Sequence, residues 1–143
     1  MAVANLQETL LFYTQHKAAL EAENSRLLAQ KSLSLASQAD VQSLMTSEKH
    51  DIRNYFKELY ESDPSLQELY SSYTEIPDFE REIEEMEAKF QARLDELTTW
   101  ETILDAQITT NSTELEEIKA YMESYKTMLS SNIQEDYDFG LGG

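Results

Sequence analysis

The apolar residues in the first part of the chain recur at alternating spacings of three and four. Leu6, Leu10 and Tyr13 start this pattern, and it continues through Leu20 and Leu27. Such spacing places one narrow apolar seam along a helix, as in a heptad repeat. We predict a helix over residues 3–61. The a positions of the heptad are Leu10, Lys17, Asn24, Lys31, Met45, Ile52 and Leu59. The seam also passes through Ser34, Gln38, Val41, Glu48 and Tyr55.

Polar residues interrupt this first seam at two places. A buried Asn24 would set the register and the number of partners at a cost in stability. Alternatively, Asn24 faces solvent in a weak stretch of the seam. Serines at positions 32, 34 and 37 lower the helix propensity, so a kink or local fraying is expected there.

A second periodic segment predicts a helix over residues 77–133. Its seam comprises Phe79, Ile83, Met86, Phe90, Leu97, Trp100, Leu104, Ile118, Tyr121, Tyr125 and Met128, widened by Leu94, Ile108, Leu115, Met122 and Leu129. Polar residues 109–113 interrupt the pattern, and Asn111 or Ser112 could cap a new helix there. We expect a continuous helix that allows a kink. The tail, residues 134–143, lacks periodicity and is expected to be flexible.

Two prolines separate the periodic segments. Asp63 can cap a short helix that starts at Pro64 and ends near residue 74, and Pro77 suits the first position of the next helix. Residues 62–76 are therefore a connector with a short helix. The predicted fold is all-α: residues 1–133 form one long antiparallel helical hairpin, a coiled coil, with a short connecting helix and a flexible C-terminal tail.

Charge supports this arrangement. The formal net charge of −17 is uneven: residues 1–62 hold 8 acidic and 6 basic residues, whereas residues 63–143 hold 20 and 5. Folding at the connector places residue i near residue 139 − i, within about one turn. This register sets a basic face opposite the densest acidic run, and their attraction selects orientation. The residues involved are Lys49, Arg53 and Lys57, facing Glu80, Glu82, Glu84, Glu85 and Glu87.

The open end of the hairpin carries more apolar residues than one seam can bury. We call this set the open-end surface: Leu10, Leu11, Phe12, Tyr13, Tyr121, Met122, Tyr125, Met128, Leu129 and Ile133. Leu11 and Phe12 lie outside the seam. Exposed apolar patches of this kind mark contact sites, so we expect self-association or partner binding here.

No arrangement of residues points to catalysis. His16 and His50 are far apart and lack the Glu-x-x-His pairs of a di-metal bundle. Phosphate loops, nucleophile elbows and zinc-protease motifs are absent from the sequence. We therefore expect no enzymatic activity, cofactor or metal.

Composition narrows the partners and the compartment. Strong negative charge repels nucleic acid, and no sequence run is long and apolar enough for membrane insertion. The chain has no cysteine and no signal-peptide pattern at its start, so we expect a cytoplasmic protein or export without a cleavable signal. Two hypotheses remain: a structural subunit that forms homo-oligomers, bundles or filaments, or an adaptor or export-chaperone-like module for a basic or helical protein.

Overall fold

Three helices and one short turn make up the described chain. The computed structural model describes residues 2–142, apart from the side chains of Asp136 and of residues 138–142. Helix α1 spans Val3–Ser62, α2 spans Pro64–Leu69, a 3₁₀ turn spans Tyr73–Glu75, and α3 spans Pro77–Gly142. No strand occurs in these residues. Helix α1 packs against α3, and the fold is the predicted antiparallel helical hairpin.

Neither polar stretch breaks its helix. Ser34 lies fully buried within continuous α1, and residues 109–113 lie within continuous α3. In the second stretch Thr110 and Thr113 donate hydrogen bonds from Oγ1 to the carbonyl oxygens four residues earlier, each at 3.0 Å. These bonds satisfy the hydroxyls within the helix, which stays continuous through the stretch.

Side-chain caps shape the connector between the long helices. Asp63 accepts a hydrogen bond from the backbone N–H of Ser65 at 2.9 Å, and Pro64 occupies the first position of α2. Helix α2 ends at Leu69, earlier than the expected end near residue 74, because Tyr70 adopts an extended backbone. The hydroxyl of Tyr60 donates to the carbonyl oxygen of Tyr70 at 2.9 Å and ties this bend to α1.

The hairpin comprises two compact units. The first contains the residues up to Lys31 and those from Ile103 onward, and the second contains Ser32–Thr102. In the first unit Leu20, Leu115 and Ile118 form a buried cluster, with Tyr13 and Met122 packed against it. In the second unit the buried apolar side chains are Val41, Phe56, Ile76 and Met86. Each unit therefore buries apolar side chains of its own.

The predicted seam of α1 holds at Ile52, which is partly buried, but is wrong at three other positions beyond Met45. Glu48, Tyr55 and Leu59 are exposed, whereas Lys49 and Tyr60 are partly buried and Phe56 is only 3 % exposed. An α-helix has 3.6 residues per turn, so its inward face drifts about 20° per heptad from a strict 3.5-residue repeat. The buried stripe thus moves one position along the chain.

The same correction applies near the end of α3. Tyr121 and Met128, predicted in the seam, are about half exposed, while the next residues, Met122 and Leu129, are partly buried. Helix α3 also continues past the predicted boundary at residue 133 to Gly142. Extending an existing helix needs no new nucleation, so it does not require an apolar repeat. The predicted flexibility of residues 134–143 is untested, and Gly143 lies outside the described residues.

Candidate association surface and seam contacts

Half of the open-end surface lies in the hairpin seam. The ring of Tyr13 stacks on Tyr121 and tilts against Tyr125, with centroids 5.7 and 5.8 Å apart. Leu10, Tyr13, Met122, Tyr125 and Leu129 are all partly buried. These five side chains hold α1 against α3, which leaves less of their area for any partner.

The other half is exposed. The relative exposures are 58 % for Leu11, 62 % for Phe12, 51 % for Tyr121, 45 % for Met128 and 50 % for Ile133. None of these side chains finds an apolar enclosure within the described chain. A free contact surface must expose apolar side chains in this way. Exposed apolar residues also occur elsewhere on both units.

Phe12 belongs to a row of rings along one side of the seam. Its ring meets Tyr13 edge-on at 5.6 Å and stacks on His16 at 6.2 Å. His16 in turn contacts Glu114 of α3, with Nε2 and Oε1 2.9 Å apart. Sequence reasoning missed this pair, although the four-residue spacing of Phe12 and His16 places both on one helix face.

Glu114 identifies the residues of α3 on the same side. Tyr121 and Met128 follow Glu114 at intervals of seven residues, which is about two helical turns. We call this side the aromatic flank; it comprises Phe12, His16, Glu114, Glu117, Tyr121 and Met128. It combines three exposed apolar side chains with two carboxylates.

Ile133 lies across the seam from the aromatic flank. Buried Ile118 marks the inward direction of α3, and at about 100° per residue Lys119 and Tyr121 fall on opposite sides of it. Lys126 and Ile133 follow Lys119 at seven-residue intervals. We call this side the lysine flank; it comprises Lys119, Lys126 and Ile133. Leu11 belongs to neither flank, because it lies nine residues before buried Leu20 and so on the face of α1 opposite the seam.

The charge cluster at the connector end forms one ion pair. Lys49 Nζ lies 3.0 Å from Glu87 Oε1. Arg53 and Glu84 line a groove of about 660 Å³ beside this pair. Within the described residues, neither Arg53 nor Lys57 lies within ion-pair distance of a carboxylate. The remaining members of the predicted acidic run, Glu80, Glu82, Glu84 and Glu85, are exposed.

Asn24 is partly buried in the seam. Its Nδ2 donates to Ser112 Oγ over 3.4 Å, while its Oδ1 is buried with no hydrogen-bond partner. The Nδ2 of Asn111 is also buried and unpartnered. Buried amide groups without partners destabilise a fold. Their burial implies a cost in stability, and a role of Asn24 in setting the register stays a prediction.

Further polar contacts cross the seam that sequence reasoning missed. Lys31 Nζ lies 2.7 Å from Asp105 Oδ1, and Gln38 Nε2 donates to Glu101 at 2.9 Å. Ser34 Oγ donates to the carbonyl oxygen of Leu97 at 3.0 Å. The sequence did carry a signal for these contacts. Three seam positions of α1 hold polar residues, and a buried polar group needs a hydrogen-bond partner, here from α3.

The described residues hold no group of three or more His, Cys, Asp or Glu side chains arranged to bind a metal ion. No described helix is long and apolar enough to cross a membrane. No protein-family model, curated protein or solved structure matches this chain. The surface geometry alone therefore supports the functional proposals.

Proposed function

We propose that this protein is a non-enzymatic coiled-coil assembly subunit that self-associates through its open-end surface. One observation carries the proposal: the exposed half of that surface. Leu11, Phe12, Tyr121, Met128 and Ile133 remain between 45 and 62 % exposed. Burying apolar area is favourable by roughly 25 cal/mol per Å². Contact with a second copy that covers these side chains is therefore favourable.

A two-helix hairpin has a physical reason to assemble. Its core residues are few, and the polar side chains Asn24, Lys31 and Ser34 occupy seam positions that an apolar core would fill. Additional helices would bury the apolar faces that one partner helix leaves uncovered. Association into a bundle, sheath or filament supplies those helices, and this is how coiled coils and bundles gain stability.

Light scattering after size-exclusion chromatography tests the proposal, followed by negative-stain images of the same fractions. We expect assemblies whose mass grows with protein concentration, and loss of these assemblies in the variant Leu11→Lys/Phe12→Lys. The control Leu44→Lys/Leu69→Lys introduces the same charge at equally exposed leucines of the other unit. A wild-type chain that stays monomeric at high concentration contradicts self-association.

A second candidate is an adaptor for a basic or helical protein. It is favoured by Glu80, Glu82, Glu84 and Glu85, which are exposed and form no ion pair within the described residues. A lysine-rich helical peptide is a suitable probe, with calorimetry as the readout. Binding that disappears when the four glutamates become glutamines, together with a monomeric protein, selects this function over self-association.

A further inference from the structure

We propose that self-association is heterologous: the aromatic flank of one copy packs against the lysine flank of the next. This inference rests on the proposed function and specifies its geometry. A contact between two different surfaces leaves each copy with one free flank of either kind. Such contacts generate rings or open filaments, whereas a contact between identical surfaces closes at a dimer.

The first observation behind the proposal is that the exposed apolar side chains divide between two sides. Phe12, Tyr121 and Met128 lie on the aromatic flank, and Ile133 lies on the lysine flank. One neighbour on one side cannot cover the apolar side chains of both flanks. A copy with both flanks covered therefore has two neighbours.

The second observation is the charge on each flank. Lys119 and Lys126 are exposed and form no ion pair within the described residues, even though Glu116 and Glu123 share their side of α3. The aromatic flank presents exposed Glu117 and half-exposed Glu114 beside its rings. Bringing two aromatic flanks together would juxtapose carboxylates, which is unfavourable.

The chemistry of the two flanks is complementary. An ammonium group is attracted both to carboxylates and to the faces of aromatic rings. Phe12 and Tyr121 are more than half exposed and so offer ring surface to an incoming lysine. Because each chain carries a net charge of −17, a contact that places cations between two copies also reduces their mutual repulsion.

A mixing experiment with two full-length variants tests this geometry. Lys119→Glu/Lys126→Glu alters the lysine flank, and Phe12→Gln/Met128→Gln alters the aromatic flank without adding a charge that would pair with the new glutamates. We expect each variant to be monomeric alone by light scattering. An equimolar mixture retains one intact junction and should give a 1:1 pair of twice the monomer mass, with nothing larger.

Circular dichroism checks that both variants remain helical, since all four substituted side chains are exposed. The control Lys57→Glu/Lys89→Glu makes the same charge change in the other unit and should assemble like the wild type. If the lysine-flank variant assembles normally, or if the two monomeric variants fail to pair on mixing, the heterologous contact is overturned while self-association stands. A monomeric wild type refutes both proposals.

Discussion

The hydroxyl of Ser34 on α1 donates a hydrogen bond to the main-chain carbonyl oxygen of Leu97 on α3, with 3.0 Å between Oγ and O. Ser34 is fully buried, and its Oγ also accepts from Gln38 Nε2 at 3.3 Å. A side chain this small lets the two helices of the second unit approach closely. The stretch that seemed weakest in the sequence thus holds a specific contact between helices.

Ser34→Ala should lower the free energy of unfolding by about 0.5–1.5 kcal/mol, since a buried hydrogen bond is lost. Ser34→Leu should cost more, about 1–3 kcal/mol on average, because the site has no room for the larger side chain. Urea denaturation followed by circular dichroism measures both. Ser32→Ala, at an exposed position of the same helix, is the control and should be neutral or slightly stabilising. Equal behaviour of the two alanine variants would show that the contact to Leu97 is unimportant.

Phe56 and Tyr55 provide a direct test of where the buried stripe runs. Phe56 is 3 % exposed and meets Phe79 edge-on at 5.6 Å, whereas Tyr55 is 60 % exposed. Phe56→Ala should cost about 3–5 kcal/mol through lost burial and a cavity. Tyr55→Ala should cost only about 0.5–1.5 kcal/mol, from its edge contact with Phe56. A larger loss for Tyr55, measured by chemical denaturation, would place the stripe where the strict heptad does.

The positions of Tyr55 and Phe56 also show which features of the fold the apolar periodicity predicts and which it does not. The prolines at 64 and 77 and the recurring apolar spacing were sufficient for an antiparallel hairpin, because they define two long helices and one place to turn. The stripe beyond Met45 was not predictable from a strict heptad, since the inward residue depends on how far the helix is underwound. That winding is a property of the packed pair of helices.

The association surface shows a second limit. Sequence reasoning grouped ten apolar residues, but adjacent residues such as Leu11 and Phe12 lie about 100° apart on a helix. The side to which Phe12 belongs becomes visible once its ring is seen against His16, and His16 against Glu114. Contacts between polar seam residues were unpredictable for a similar reason, because each depends on the register between the two helices.

The unpartnered amides of Asn24 and Asn111 should reduce stability. Replacing both with leucine should raise the free energy of unfolding by about 1–3 kcal/mol, because buried polar atoms without hydrogen bonds are removed. Thermal unfolding measures the gain. The single variant Asn24→Leu should gain less, since Asn111 Nδ2 stays unpartnered and Ser112 loses its donor. A double variant less stable than the wild type would mean that the amides are satisfied in solution.

The same double variant should lose register specificity, because a polar seam position penalises misaligned pairing. The chain has no native cysteine, so His16→Cys with Glu114→Cys reports on register through a short bis-maleimide cross-link between the two thiols. The native side chains at these positions contact each other at 2.9 Å. We expect efficient cross-linking in the otherwise native chain and a lower yield after both asparagines are replaced. An unchanged yield would assign register to other contacts.

The Lys49–Glu87 ion pair should contribute more to orientation than to stability. Both side chains are more than a third exposed, so solvent screening limits the pair to about 0.2–1 kcal/mol. Lys49→Glu should lower the unfolding free energy by about this amount, and adding Glu87→Lys should restore it. The difference should shrink in 1 M salt, where charges are screened beyond about 3 Å.

Arg53→Glu is the control, since Arg53 lies within ion-pair distance of no described carboxylate. Combining it with Glu87→Lys should recover little of the lost unfolding free energy. Recovery as large as that of the Lys49 swap would indicate that the local charge balance, and not this particular pair, sets the effect.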